Sequence, residues 1–248
     1  MLRHSFALFA AVAALLPLGA GAQTAPPTTL VELYTSQGCA SCPPAEALAA
    51  ELAARDDLVT LSLHVNYWDY IGWKDRFASE VNTERQRQYA RKLGRGPVFT
   101  PQVVVDGTRD VVGSDSTGVI RAIDAAQKAG RLRLDIRLRR SPDDGLVVSI
   151  PGAHFAGSAA VWLFRYDFGN VTRVTEGENA GRTLKSVNTV RDVRRIGTWT
   201  GLPLDIRLPP SALTAGSGGR DACVIVVQAD DFGPVLGVRK MRLAPESS

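Results

Sequence analysis

The sequence predicts an α/β domain followed by an all-β, sandwich-like domain. Three observations lead there. Between Thr29 and Gly130 apolar strands alternate with helical patterns, and after Gly130 the apolar period falls to two. The chain has 248 residues, of which 45% are apolar and 22% charged, a balance that supports a packed core rather than disorder.

The N-terminus reads as an address. Met1-Leu2-Arg3-His4 is a short basic start, Ser5 to Leu18 is apolar, and Ala20-Gly21-Ala22 offers small residues before Gln23. This predicts a signal peptide over 1–22 and a mature start at Gln23. Thr24 to Thr29, within TAPPTT, predicts an extended tether over 23–28. The apolar core falls short of the roughly 20 residues a membrane span needs, and no Cys lies near the cleavage point to carry a lipid. The expected location is periplasmic or secreted, where a thiol pair is by default a disulfide.

The first domain is expected over 29–130. Leu30 to Tyr34 is a short apolar strand, and Ala45, Leu48, Ala49, Leu52 and Ala53 mark one face of a helix. Leu58 to Val65 returns to strand, and Thr83 to Leu93 is a polar helix that Gly94 stops. Gln102 to Asp106 is a β-branched strand whose Asp106-Gly107 ending signals a hairpin returning through Val111-Val112. Ser114 to Ala129 is a helix with Val119, Ile120 and Ile123 inward. Strands alternating with helices imply a helix-covered sheet.

The second domain is expected over 131–248. Leu132, Leu134, Ile136 and Leu138 alternate with charged residues, a half-buried strand. Further strands are predicted at Leu146–Ile150, Ala159–Tyr166, Ser186–Arg194, Leu202–Leu208, Ala222–Gln228 and Val235–Leu243. Turn clusters such as Pro142-Asp143-Asp144-Gly145 separate them. Short strands with no helical run suggest a sandwich.

The chemistry centres on Cys39-Ala-Ser-Cys42-Pro43-Pro44, placed after the first strand and at the mouth of the first helix. A Cys there is expected to face unpaired backbone N–H groups that favour thiolate. Pro43 suits the first helical turn. Two intervening residues let Cys42 resolve a mixed disulfide formed at Cys39, which is thiol–disulfide exchange. Two other readings stay open. The pair is an inert bridge, although so small a loop removes little chain entropy. Or it handles a metal. Zinc wants four ligands, and Cys39, Cys42, Cys223, His64 and His154 lack zinc-finger spacing, whereas copper(I) needs only two or three soft ligands.

Val98-Phe99-Thr100-Pro101-Gln102 sets a proline directly before a strand, where it begins the strand or marks a cis turn. Together with the cysteine pair, this segment resembles the thioredoxin-like superfamily. The resemblance makes the expected fold an α/β thioredoxin-like domain, followed by the all-β sandwich-like domain read from periodicity. It implies Cys39 as nucleophile and Cys42 as resolving thiol, with Thr100 and Pro101 positioning a substrate polypeptide on a cis-proline loop. It also implies a buried acid in the preceding strand as proton acceptor. Glu32 lies there with one extra residue before the first Cys, and reads either as that acceptor or as a strand-edge Glu in contact with water. Gly38 replaces the aromatic often found before the first Cys, and neither Ala40 nor Ser41 is the His of strong oxidants.

Longer strings resemble one family more closely. Leu33-Tyr34-Thr35-Ser36-Gln37-Gly38-Cys39, Asn66-Tyr67-Trp68-Asp69-Tyr70-Ile71-Gly72-Trp73-Lys74-Asp75, Arg85-Gln86 with Tyr89, and Glu178-Asn179-Ala180-Gly181-Arg182-Thr183-Leu184 are similar to the exported bacterial family DUF1223, whose function is unassigned. Tyr67, Trp68 and Trp73 read either as walls of a substrate groove, with Asp69 and Asp75 setting polarity, or as a packed insertion. The Glu178–Thr183 segment either folds back over the thiols or forms a tight turn. Cys223, in an apolar strand, reads as a buried inert thiol, and His64 as a satisfied, half-buried side chain.

The function expected is thiol–disulfide exchange on other exported proteins, with no bound cofactor and with an unidentified electron donor or acceptor. The alternatives are copper(I) handling by the same cysteines and a non-catalytic scaffold with a structural disulfide. A net charge of +4 dispersed over the chain gives no nucleic-acid footprint.

Overall fold

The computed structural model describes residues 28–214, 218 and 221–243. The expected signal peptide over 1–22, and the tether apart from Thr28, lie outside the described residues. Among the described residues no helix is long and apolar enough to cross a membrane.

The first segment builds the surroundings of the cysteine pair. β1 (Thr29–Thr35) and β2 (Leu58–His64) run parallel, with Thr29 opposite Leu58 and Thr35 opposite His64, so both strands end side by side. Side-chain alternation divides β1 between two cores. Val31 and Leu33 pack beneath α1 (Pro43–Ala53) and α3 (Ser116–Gln127), while Leu30 and Tyr34 lie on the opposite face with Tyr89 of α2 (Glu80–Lys92). β3 (Gln102–Val105) pairs antiparallel with β1 and turns into β4 (Arg109–Val112). Asp106 and Gly107 both hold positive φ, 47° and 66°, as a tight primed hairpin turn requires.

The expected architecture of a thioredoxin-like α/β domain followed by an all-β sandwich-like domain is corrected by the sheet. Its eight strands run β11-β10-β7-β8-β2-β1-β3-β4, so it passes without a break across the boundary expected near Gly130. The crossing is made where Thr189 of β8 (Thr183–Trp199) pairs with Ser62 of β2. The protein is mostly β, with four helices among the described residues, and no separate thioredoxin-like domain is present. Periodicity shows which face of a strand is buried but not which strand lies beside it, and β8 was invisible as a partner of β2.

This sheet is curled. Laid flat, β11 (Val235–Arg242) would lie about 29 Å from β3 at ~4.8 Å per strand. Yet Val235 N–H donates to the Asp106 carbonyl at 3.0 Å. One core therefore collects Leu61 and Tyr34 from one end with Phe164 of β7 (Ala159–Arg173), Val224 of β10 (Ala222–Ala229) and Val238 from the other. On the outer face of β7, β10 and β11 lies a three-stranded sheet, β5 (Arg137–Arg140), β6 (Leu146–Ile150) and β9 (Leu204–Leu208). Val148 and Ile150 pack there on Leu163, Cys223 and Ile225.

Three local expectations also change. The eight-residue strand begun at Leu132 shrinks to β5, because Leu134 instead donates its N–H to the Leu236 carbonyl. A short helix, α4 (Pro210–Thr214), stands where no helix was expected. β7 and β8 extend past the predicted Tyr166 and Ser186 to Arg173 and Thr183, as a paired ribbon with polar positions. The tip of that ribbon reaches the cysteine pair.

Candidate functional site

Cys39 and Cys42 form a disulfide with Cα atoms 5.4 Å apart, and each residue is 1% exposed. Cys42 is the N-cap of α1, but the unpaired N–H groups expected around it are not there. Pro43 and Pro44 have no N–H to offer, and the N–H groups of Ala45 and Glu46 both donate to the Cys42 carbonyl. The Ser41 hydroxyl lies 3.4 Å from Cys39 Sγ.

The segment before the pair is clamped from three directions. Asp75 accepts from Gln37 N–H at 2.8 Å; the Gln37 side chain donates to Thr172 and accepts from Trp73 Nε1. Asn179, fully buried, donates to the carbonyls of Gln37 and Cys39 at 2.9 and 3.0 Å. Glu178 accepts from Ala40 N–H. The Glu178–Thr183 segment thus folds back over the thiols, and Arg182 steadies it by donating to Asn179 Oδ1.

Thr100–Pro101 is a cis peptide. Gly113 stands between Pro101 and α1, since a Cβ there would lie 3.1 Å from Pro101 Cβ and 3.2 Å from Ala45 Cβ. Trp68 Nε1 donates to Thr100 Oγ1 at 2.8 Å, and Trp68 Cβ lies against Gly38, so this ring joins the proline loop to the cysteine loop. Gln86 holds the same loop by donating to the Phe99 carbonyl, and accepts from the Tyr67 hydroxyl. Tyr67, Trp68 and Trp73 are half-buried with their polar atoms committed inside the protein, and none lines the cleft described next.

That cleft, of about 380 Å³, opens beside Cys42 between α1 and the start of β8; Glu46, His64, Arg182 and Lys185 line it. His64 is fully buried rather than half-buried, with Nδ1 2.6 Å from Asp75 Oδ2. Its Nε2 faces Glu46 Oε1 at 3.6 Å, and neither atom has a hydrogen-bond partner. Burial pushes the Glu46 carboxyl above its ordinary value. Burial works against a charge on His64, but the charge and hydrogen bond of Asp75 overcome it and raise the imidazole. Burial alone would raise Asp75, whereas His64 and the N–H groups of Gln37 and Phe77 draw it below the usual carboxylate range. Sequence reasoning missed Glu46, although its spacing of four from Cys42 on a helix was a usable signal.

Glu32 lies elsewhere. Its carboxylate is on the face of β1 opposite α1, fully buried, paired with Arg85 Nε at 2.6 Å and accepting from the Tyr89 hydroxyl at 2.6 Å. Arg85 also donates to Gln228 and lies over the rings of Tyr89, Trp162, Phe164 and Phe232. Glu32 therefore fills neither role read for it from sequence: it is not at water, and its oxygens are occupied by the cluster that joins α2 to β10. Cys223 is fully buried, and burial pushes its thiol up to about 12. Among the described residues no group of three or more His, Cys, Asp or Glu is arranged to hold a metal ion.

The comparisons with known proteins agree with this geometry at the level of fold. A family model described as protein of unknown function (DUF1223) matches residues 30–228. A crystal structure of a protein from Agrobacterium tumefaciens is similar at 31% identity and a TM-score of 0.78, over 91% of this chain and 98% of that one. HBP35 of Porphyromonas gingivalis, at 12% identity and a TM-score of 0.59, covers 91% of this chain and 79% of its own, and shares the fold alone. No curated protein matches.

Proposed function

We propose that this protein, which belongs to the DUF1223 family, exchanges disulfides with the thiols of other exported proteins through Cys39 and Cys42. The observation that carries the reading is a disulfide of sequence separation 3 at the mouth of α1, with Cys42 lining a cleft that also holds Glu46 and His64. A bridge closing so short a loop removes little entropy from the unfolded chain, so stability is a poor reason for it. The loop of Thr100 and Pro101, packed on α1 at Gly113 and held by Trp68, is the proposed seat of a client backbone. The N-terminal pattern of a basic start, apolar run and small residues supports an oxidising compartment, periplasmic or secreted.

The test is the reduction potential of the chain from Gln23 onward, equilibrated in glutathione buffers with Cys39→Ser as control. A value between roughly −270 and −120 mV is expected of an exchange protein and sets the direction of transfer. A value below about −300 mV identifies a structural bridge and sinks the reading.

A further inference from the structure

Glu46 stands four residues after Cys42 on the same helix, and both line one cleft. The two prolines and the Cys42 carbonyl use up the N–H groups that would steady a thiolate. Two buried atoms, Glu46 Oε1 and His64 Nε2, face each other at 3.6 Å in that cleft, and neither has a hydrogen bond. Leaving buried polar atoms without hydrogen bonds costs free energy, so such a pair marks a place where chemistry is a reason for the arrangement. His64 is fixed for it, because Asp75 holds Nδ1 from behind and leaves Nε2 directed at Glu46.

We infer that Glu46 exchanges the proton of Cys42 during disulfide transfer, with His64 and Asp75 positioning its carboxyl group. The inference rests on the exchange reading above. When a client thiolate attacks Cys39 Sγ, the Cys39–Cys42 bond breaks and its electron pair leaves on the Cys42 sulfur. The Glu46 carboxyl gives that sulfur its proton and becomes a carboxylate facing His64. In the return direction the Glu46 carboxylate takes the proton from Cys42. The resulting thiolate attacks Cys39 Sγ of the mixed disulfide, and the client sulfur leaves as thiolate. The charges around Glu46 come from several elements: His64 on β2, Asp75 behind it, and Arg182 and Lys185 at the rim. Arg191 of β8 is also near; its charge works against protonation of His64.

The test uses oxidised glutathione as the client. Reduced protein is mixed with it, and the mixed disulfide on Cys39 is followed by mass spectrometry as a function of pH. Glu46→Gln should release glutathione about a hundredfold more slowly than the natural protein at pH 7, with a rate rising about tenfold per pH unit as the thiol ionises unaided. His64→Gln should move the pH profile without abolishing release. A Glu46→Gln profile superimposable on the natural one overturns the inference. A second measurement separates it from the exchange reading: thiolate absorbance of Cys42 titrated in Cys39→Ser protein, with and without Glu46→Gln. The carboxyl coupled to the thiol should give a two-step titration that collapses to one step in the double variant. That result upholds the proton exchange even if glutathione never reacts, which would sink only the exchange reading. An unchanged titration in a double variant whose Cys223 stays protected from alkylation overturns the proton exchange.

Discussion

Asn179 donates its side-chain amide to the carbonyl of Cys39 at 3.0 Å, across 140 residues of sequence. A second bond, to Gln37, makes this one side chain the donor for two carbonyls of the cysteine loop. The β7–β8 ribbon that carries Asn179 thereby becomes part of the site.

Replacing Asn179 with Ala should cost about 2 kcal/mol of stability, since both carbonyls lose a buried donor. The cysteine loop should also loosen, so the disulfide should be reduced faster by dithiothreitol. Urea unfolding reads the first effect and thiol release the second; a variant as slowly reduced as the natural protein would show that the clamp does not govern access.

Glu32→Gln should destabilise by about 3 to 5 kcal/mol, because it leaves the fully buried Arg85 without its counter-charge. The rate of disulfide reduction in the folded variant should stay at its natural value, as Glu32 lies on the far face of β1. A large change in rate with retained fold would return Glu32 to the reaction.

Gly113→Ala places a methyl group within 3.2 Å of Leu33, Pro101 and Ala45 at once. Overpacking of this kind costs about 1 to 3 kcal/mol, and α1 or the cis-proline loop must move to relieve it. The expected signature is a lowered Tm together with an altered rate of disulfide reduction. An unchanged Tm would mean that the wedge has room to spare.

Stability should fall as pH rises past the ordinary values of Glu46 and then of His64. Glu46 and His64 both titrate above their ordinary values when folded, so the folded state holds the extra protons. Their stabilisation is full below the unfolded values, about 4.3 and 6.5, and is lost as pH rises through the folded ones. Asp75 has the opposite sign: its contribution is present above about pH 4 and is lost on acidification. Glu46→Gln should flatten the acidic part of the decline in urea midpoints, and an unaltered slope would remove Glu46 from the account.

Iodoacetamide should modify no thiol of the folded, oxidised protein, and Cys223 alone after unfolding without reductant. Burial holds that thiol at about 12, so almost none is thiolate at neutral pH. Labelling of Cys223 under native conditions, read by peptide mass, would show that the sheet core opens.

The family motifs legible in sequence turn out to be clamps, some on the cysteine site and one on the buried Glu32 cluster behind it. Arg85 and Tyr89 hold Glu32, while Gln86 holds the Phe99 carbonyl. Trp73 and Asp75 hold Gln37, and Asn179 holds the cysteine loop itself. Sequence placed these residues in strings but could not give their partners, which lie 13 to 142 positions away. The aromatic run was a case in point: in sequence Trp68 and Trp73 read as groove walls or as a packed insertion, and only the fold sends one to Thr100 and the other to Gln37.

What the sequence by itself determined was short-range. It set the Cys39–Cys42 spacing and the proline-led helix after it, the Asp106-Gly107 hairpin, and the two faces of β1. Each depends on backbone preferences or alternation within a few residues. Only the tertiary structure decided that β8 lies beside β2, that the sheet curls until Val235 meets Asp106, and that Glu46, His64 and Asp75 converge beside Cys42. Those outcomes depend on which strands become neighbours, and a buried strand reads the same in sequence whatever lies next to it.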